Sequence, residues 1–347
     1  MNKLGLLLFC LLTSRVSASL VVLQYHHVSG TTPAITSISP TDFAAHMQYL
    51  SENNFNILSL DKAIRSLKSG KNIPHRAIAI TFDDAYANLY TEAYPLLKQL
   101  NYPFTIFVAT DLVGTNEPLY LTWKQLQEMS EHGALVVNHT QSHLHLLRMQ
   151  PSETQHQWLH RIETEITGAQ QIIESYFVDA PKLFAYPYGE FNREILSLLD
   201  RLEYVGFGQQ SGALDANSNF LSLPRFPLAG VYTDLNSFKT KANTLPLPIR
   251  VVGTESLISN GNFKPTLDLE FNEGKWRISE LACYGPGGKM KIENISENLF
   301  RVSPQQDVSV GRSRYNCTMP SDQRGRFYWY SKTWIRKNDD GTWYPEP

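Results

Sequence analysis

From about residue 19 to about residue 245, short apolar runs alternate with stretches of helical spacing, and this alternation constrains the fold more than any other feature of the chain. Strand-like runs occupy residues 20–23, 77–82, 104–109, 134–137, 183–186 and 204–208. Between them, residues 43–50, 60–67, 90–100, 123–132 and 152–175 carry the spacing of amphipathic helices. Strands that alternate with helices specify a parallel sheet, here most simply a closed or nearly closed β/α barrel. In such a barrel the working residues gather at the C-terminal ends of the strands, so those ends are where chemistry should be sought.

The texture changes at Thr244-Leu245-Pro246-Leu247-Pro248, where two prolines predict a linker. Beyond it the segments are short and β-rich. Turn signals separate them at Asn260-Gly261, Asn272-Glu273-Gly274, Gly285-Pro286-Gly287-Gly288 and Asp339-Asp340-Gly341. The expected organisation is an α/β barrel over 19–245 followed by a small all-β sandwich-like domain over 246–347.

The first eighteen residues read as a removable signal. Lys3 supplies the positive start, 4–12 is continuously apolar, and Val16-Ser17-Ala18 offers small residues at the two positions a signal peptidase inspects. The run is too short to span a bilayer comfortably, so cleavage after Ala18 and no transmembrane segment thereafter are expected. That places the protein in the periplasm, on the cell surface or in the medium. Cys10 suggests a lipoprotein, but Phe9 stands where that signal needs a small residue. Only Cys283 and Cys317 then remain, and in an oxidising compartment they are expected to pair. The formal charge of −2 supplies no global field toward nucleic acid or an anionic membrane.

Four strand ends carry reactive side chains. Thr81-Phe82-Asp83-Asp84 follows one strand, and two adjacent carboxylates there must be solvated, cap a helix, or hold a cation. His139-Thr140-Gln141-Ser142-His143 follows another; two histidines four apart can face one way, and imidazole is a common zinc ligand. The bland alternative is a surface pair, since the chain has 10 histidines. Phe184-Ala185-Tyr186-Pro187-Tyr188-Gly189 closes a third strand, where Pro and Gly can turn a backbone N–H toward a developing oxyanion. Tyr25-His26-His27-Val28 ends the first strand; one histidine could protonate a leaving amine, and core packing is the alternative for the other.

Together these motifs resemble the polysaccharide deacetylase family, also called the NodB-homology or carbohydrate esterase 4 family. Thr81-Phe82-Asp83-Asp84 is similar to its first motif, His139 to His143 to its second, and Tyr186-Pro187-Tyr188-Gly189 to its third. Within the family, Tyr25-His26-His27-Val28 and Pro224-Arg225 resemble the branch acting on poly-β-1,6-N-acetylglucosamine. The resemblance implies a NodB-type distorted (β/α) barrel. It also implies metal-dependent hydrolysis of N-acetyl groups from an N-acetylglucosamine polymer, releasing acetate. By that likeness Asp83 is the general base; Asp84, His139 and His143 hold a divalent metal; Tyr188 lends its N–H; and His26 is the general acid. Zinc is the expected ion, and cobalt, nickel or manganese suit the same ligands. Many members carry an arginine where this chain has Ala185, and a late Leu-x-His motif that is missing here, so His26 must serve as the acid. The alternatives are a catalytically silent sugar-binding barrel, or an amide hydrolase acting on peptidoglycan, chitin oligomers or a small amide. The aromatic run Phe327-Tyr328-Trp329-Tyr330 with Trp334 is expected to pack inside the β domain, with sugar stacking as its other use.

Overall fold

A computed structural model of the chain describes residues 19–115, 118–253, 258 and 261–345. The expected signal segment, with Cys10, lies outside the described residues, as does Asn260 of one turn signal. The barrel half is a curled, nine-stranded sheet. Its parallel centre runs through β1 (Leu20–Tyr25), β2 (Ala77–Asp83), β3 (Phe104–Val108), β4 (Ala134–Asn138), β5 (Leu183–Ala185) and β6 (Val205–Phe207). These strands are apolar almost throughout because helices cover the sheet, which leaves no solvated face to alternate with. The short strand Ala213–Leu214 pairs antiparallel with β1, and Phe226–Pro227 pairs parallel with it. The sheet is therefore a distorted half-barrel rather than a closed ring.

Among the described residues, seven helices pack around it: α1 (Pro40–Glu52), α2 (Leu60–Lys68), α3 (Tyr94–Gln99), α4 (Trp123–Ser130), α5 (Gln155–Tyr176), α6 (Arg193–Arg201) and α7 (Leu235–Ala242). Local chemistry sets their starts. Thr154 accepts from the Gln157 N–H while the Gln157 side chain accepts from the Thr154 N–H, so α5 begins at Gln155 and not at 152. The stretch expected as one helix over 90–100 is split. A wide turn over Leu89–Ala93 precedes α3, and Pro95, which has no N–H to give the preceding turn, sits at the junction.

The carboxy-terminal third forms two further sheets. One contains β8 (Ile249–Val252), β9 (Leu267–Phe271), β11 (Lys291–Asn294) and β12 (Leu299–Ser303). The other contains β7 (Leu245–Pro246), β10 (Ala282–Gly285), β13 (Gly311–Pro320) and β14 (Phe327–Arg336), with Gly288–Lys289 at its edge. Leu267, Leu269 and Val302 of the first meet Cys283, Tyr315, Met319 and Trp334 of the second in one buried cluster. Cys283 and Cys317 face each other across β10 and β13 and are joined by a disulfide, as expected. Trp334 belongs to this core.

The expected linker is not a loose one. Leu245 and Pro246 form a parallel edge strand beside Tyr328 and Trp329 of β14. An edge strand tolerates proline because the missing N–H faces no neighbour. Two further contacts seat the β sheets on the barrel. Trp329 packs edge-on against Phe226, with ring centroids 5.4 Å apart, and Arg326 donates to the carbonyls of Asn243 and Thr244.

Candidate active site

Asp83 is the last residue of β2, and its carboxylate is fully buried. A lone charge there would be strongly disfavoured, so its partners decide whether it can exist. Arg225 Nη1 donates to Oδ1 and Nη2 to Oδ2, both at 2.7 Å, and Gln24 Nε2 donates to Oδ2 at 2.7 Å. Arg225 is itself fully buried and is held by Gly208 O at 3.0 Å and Thr81 Oγ1 at 3.2 Å. Burial pushes the Asp83 carboxyl up, but the guanidinium outweighs it and holds the group below its ordinary value. Asp83 is thus an ionised carboxylate aimed by a planar fork. It caps no helix.

Asp84 lies one residue on, beyond the strand, with His139 and His143 beside it. Its Oδ1 is 3.3 Å from His139 Nε2 and 3.1 Å from His143 Nε2. One ligand atom from each of the three residues falls within 4.8 Å of the other two. Asp84 Oδ1 is buried and meets hydrogen-bond geometry with no neighbour, so the three atoms converge on a point without satisfying one another. That is the donor set a divalent ion takes, with positions left over for other ligands. The tautomer agrees. His139 Nδ1 donates to Ala185 O at 2.7 Å, which leaves the Nε2 lone pair facing the cluster. Burial raises the Asp84 carboxyl, and the two imidazoles more than reverse it, taking the group well below the ordinary carboxylate range.

The loop between the histidines is fixed from outside. Asn138 Oδ1 accepts from the Thr140 N–H, and Thr140 Oγ1 accepts from the His143 N–H. Glu165, on α5, accepts from the N–H groups of Gln141 and Ser142 and from the Ser142 hydroxyl. The backbone here is strained. Asp84, Ala85, Thr140, His143 and Tyr188 all hold φ between 57° and 70°, a region that residues with a Cβ seldom occupy. Such clustering is characteristic of functional sites, where surrounding bonds over-determine the conformation.

The third motif forms one tight turn over Pro187–Gly189, closed by the Gly189 N–H donating to Tyr186 O. Gly189 has φ 69° and its absent Cβ would lie 2.9 Å from Gln209 Cβ, so only glycine fits. The Tyr188 ring stacks on His145 at 3.8 Å and meets His143 edge-on at 4.7 Å, which brings Tyr188 to the Asp84, His139 and His143 cluster. His145 in turn lies 3.2 Å from the buried carboxylate of Glu190. The two histidines of the first motif diverge. His27 is buried, stacked on Tyr86 at 3.5 Å, with its Nδ1 accepting from Asn88 Nδ2 at 2.9 Å. His26 remains partly open, with Nε2 3.9 Å from Asp83 Oδ2. Sequence reasoning missed Gln24 and Glu165 entirely, and it noted Arg225 only as half of a motif.

The family model for polysaccharide deacetylase matches residues 70–207. A putative polysaccharide deacetylase of Bacillus subtilis is 29% identical over 60% of this chain and 71% of its own length. A poly-β-1,6-N-acetyl-D-glucosamine N-deacetylase of Staphylococcus aureus is 29% identical over 54% of this chain and 67% of its own. The chain belongs to the polysaccharide deacetylase family. Solved deacetylases share the fold. A deacetylase of Streptococcus pyogenes, in complex with acetate, superposes with a TM-score of 0.58 at 24% identity, over 65% of this chain and 99% of that one. A structure of IcaB from Ammonifex degensii gives 0.55 at 22% identity, over 65% and 96%. In this chain the arginine that many family members place at the position of Ala185 has a spatial substitute. Arg225 supplies the guanidinium from the loop just before the strand Phe226–Pro227, and the Ala185 carbonyl fixes His139.

Proposed function

We propose that the protein removes N-acetyl groups from an N-acetylglucosamine-containing polysaccharide outside the cytoplasm, with a divalent metal, zinc being the expected ion. The observation that carries this reading is the adjacency of two unlike carboxylates. Asp83 is clamped by Arg225, and Asp84 converges with two imidazoles on one point. A metal bound by Asp84, His139 and His143 would polarise the acetamide carbonyl and acidify a water. Asp83 takes the proton of the attacking water, its lone pairs oriented by the guanidinium fork. The Tyr188 N–H donates to the oxygen that becomes negative at the tetrahedral stage. His26, whose Nε2 lies 3.9 Å from Asp83 Oδ2, gives its proton to the departing amine. The product is acetate and a free amine on the sugar.

The likeness to the S. aureus enzyme supports poly-β-1,6-N-acetylglucosamine as the first polymer to try. The amino-terminal apolar run supports export. Among the described residues no helix is long and apolar enough to cross a membrane. The test is acetate release from poly-β-1,6-N-acetylglucosamine, chitin oligomers and peptidoglycan, measured after chelation and again after zinc is restored. Release that vanishes with chelator, returns with zinc and is abolished by Asp83→Asn is the expected outcome. Release indifferent to chelator, or an Asp83→Asn protein with the native rate, would overturn the mechanism.

A further inference from the structure

A cleft of about 940 Å³ separates the barrel from β13 and β14, and it begins at the catalytic turn. Tyr188 and Gly189 form one end. The metal-ligand side chains are not part of its wall, and the two regions meet at the Tyr188 ring. The opposite wall is the C-terminal sheet. Successive outward positions of β13, Arg312 and Arg314, face into the cleft, with Lys241 of α7 across from them. Among the described residues that line it there is no aspartate or glutamate.

Three cations in one concavity repel each other, and their partners are few. Arg312 is shared with Glu190 at 3.8 Å and with the Tyr188 carbonyl at 3.3 Å. Lys241 donates to the Tyr232 carbonyl at 3.0 Å. Among the described residues, no carboxylate reaches ion-pair distance of Arg314 or Lys241. Burial pulls Lys241 down to about 8, with Asp234 opposing it and Arg314 adding to it; burial lowers Arg314 as well, with Tyr232 opposing and Arg312 adding. An anion entering the cleft would relieve both. The rest of the lining is aromatic and neutral polar. Trp329, Tyr232 and Tyr284 offer ring faces, and Asn316, Ser313 and Thr318 offer hydrogen bonds. Rings beside polar donors suit sugar hydroxyls and C–H faces, and a guanidinium fork suits carboxylate or phosphate.

We infer that this cleft binds an acidic glycan, so that the polymer presented to the active site carries carboxylate or phosphate groups alongside its N-acetylglucosamine. The inference rests on the deacetylase reading of the neighbouring site and narrows its substrate class. It also gives the product a way out, since each new amine adds positive charge that Arg314 and Lys241 disfavour.

The test is a binding measurement, which does not depend on turnover. The zinc-loaded protein is titrated calorimetrically with four oligosaccharides of equal length. One alternates N-acetylglucosamine with uronic acid, one carries glycosyl phosphates, one is neutral N-acetylglucosamine, and one is its fully deacetylated form. At least one acidic ligand should bind about ten-fold tighter than the neutral one, as expected for a charge-assisted contact. The advantage should fade as salt rises. The acidic ligand that wins distinguishes carboxylate from phosphate. Arg314→Gln should remove the advantage and leave neutral binding unchanged, with Arg314→Lys restoring part of it. Equal binding of acidic and neutral ligands, no binding of either, or a preference for the deacetylated cation overturns the inference. A protein that prefers the acidic ligand yet releases no acetate from any polymer would retire the deacetylase reading alone.

Discussion

Replacing Arg225 with glutamine strips the guanidinium from a buried carboxylate. Asp83 then keeps one donor of its three, Gln24 Nε2, in a site with no exposure. Removing one partner of a buried ion pair costs about 3–5 kcal/mol, because the other charge stays behind. Against a total stability of roughly 5–15 kcal/mol that is a large loss, and urea unfolding at pH 7 should register it as a lower midpoint. Asp83→Asn alone should also destabilise, since it leaves Arg225 buried without its anion. The double variant, Asp83→Asn with Arg225→Gln, holds two neutral amides and should be more stable than the sum of the single losses by at least about 2 kcal/mol. Activity moves with the same cause. Without the guanidinium, burial raises the Asp83 carboxyl, so the acidic limb of acetate release against pH should shift upward in Arg225→Gln. Strictly additive losses in the cycle, or an unchanged acidic limb, would refute the claim that Arg225 sustains the charge of Asp83.

Three further outcomes follow from other parts of the molecule. His139→Ala and His143→Ala should each lower zinc content, measured by atomic emission after dialysis, while Gln141→Ala, whose side chain is outside the cluster, should not. Cys283→Ser with Cys317→Ser opens a loop spanning 34 positions and should cost about 3–4 kcal/mol in urea unfolding of the oxidised protein; no loss would mean the bridge constrains nothing. His46 accepts from the Tyr25 hydroxyl, donates to Thr233 O, and is lowered by burial to about 4. The unfolded chain therefore binds the extra proton between about pH 6.5 and pH 4, and stability should fall across that window by about 3 kcal/mol, a slope that His46→Gln should flatten.

The legible parts of the fold and site were those written in contiguous residues. Apolar runs without alternation marked β2 and β3 because both faces of those strands are covered, and Asp83-Asp84 stood out because two carboxylates rarely adjoin at a strand end. Gln24, Arg225 and Glu165 were hidden for a different reason. Each is a single polar residue whose partner lies 59, 142 or 24 positions away, so no local pattern shows what it binds, even where the pair Pro224-Arg225 stands out. Which of His26 and His27 was packed depended on Asn88 and Tyr86, which are likewise remote in the chain. The prolines near 246 were read as a break because a proline weakens a central strand; at an edge it does not, and the pairing of β7 with β14 was invisible without the partner. The aromatic run on β14 serves two ends, with Trp334 in the core and Trp329 against the barrel and its cleft.

The clamp on Asp83 also orders the chain in time. The segment that matches the family model ends at 207, and by then the chain already carries Asp83, Asp84, His139, His143 and Tyr188. Arg225 comes 18 residues later by position, immediately before the return strand Phe226–Pro227 that docks beside β1. During synthesis Asp84, His139 and His143 therefore emerge before the cation that lets the neighbouring carboxylate be buried. A chain cut at 207 would hold the motifs at 81–84, 139–143 and 186–189 and still lack the cation that lets Asp83 be buried, so the site is complete only when the strand Phe226–Pro227 has swung back beside β1.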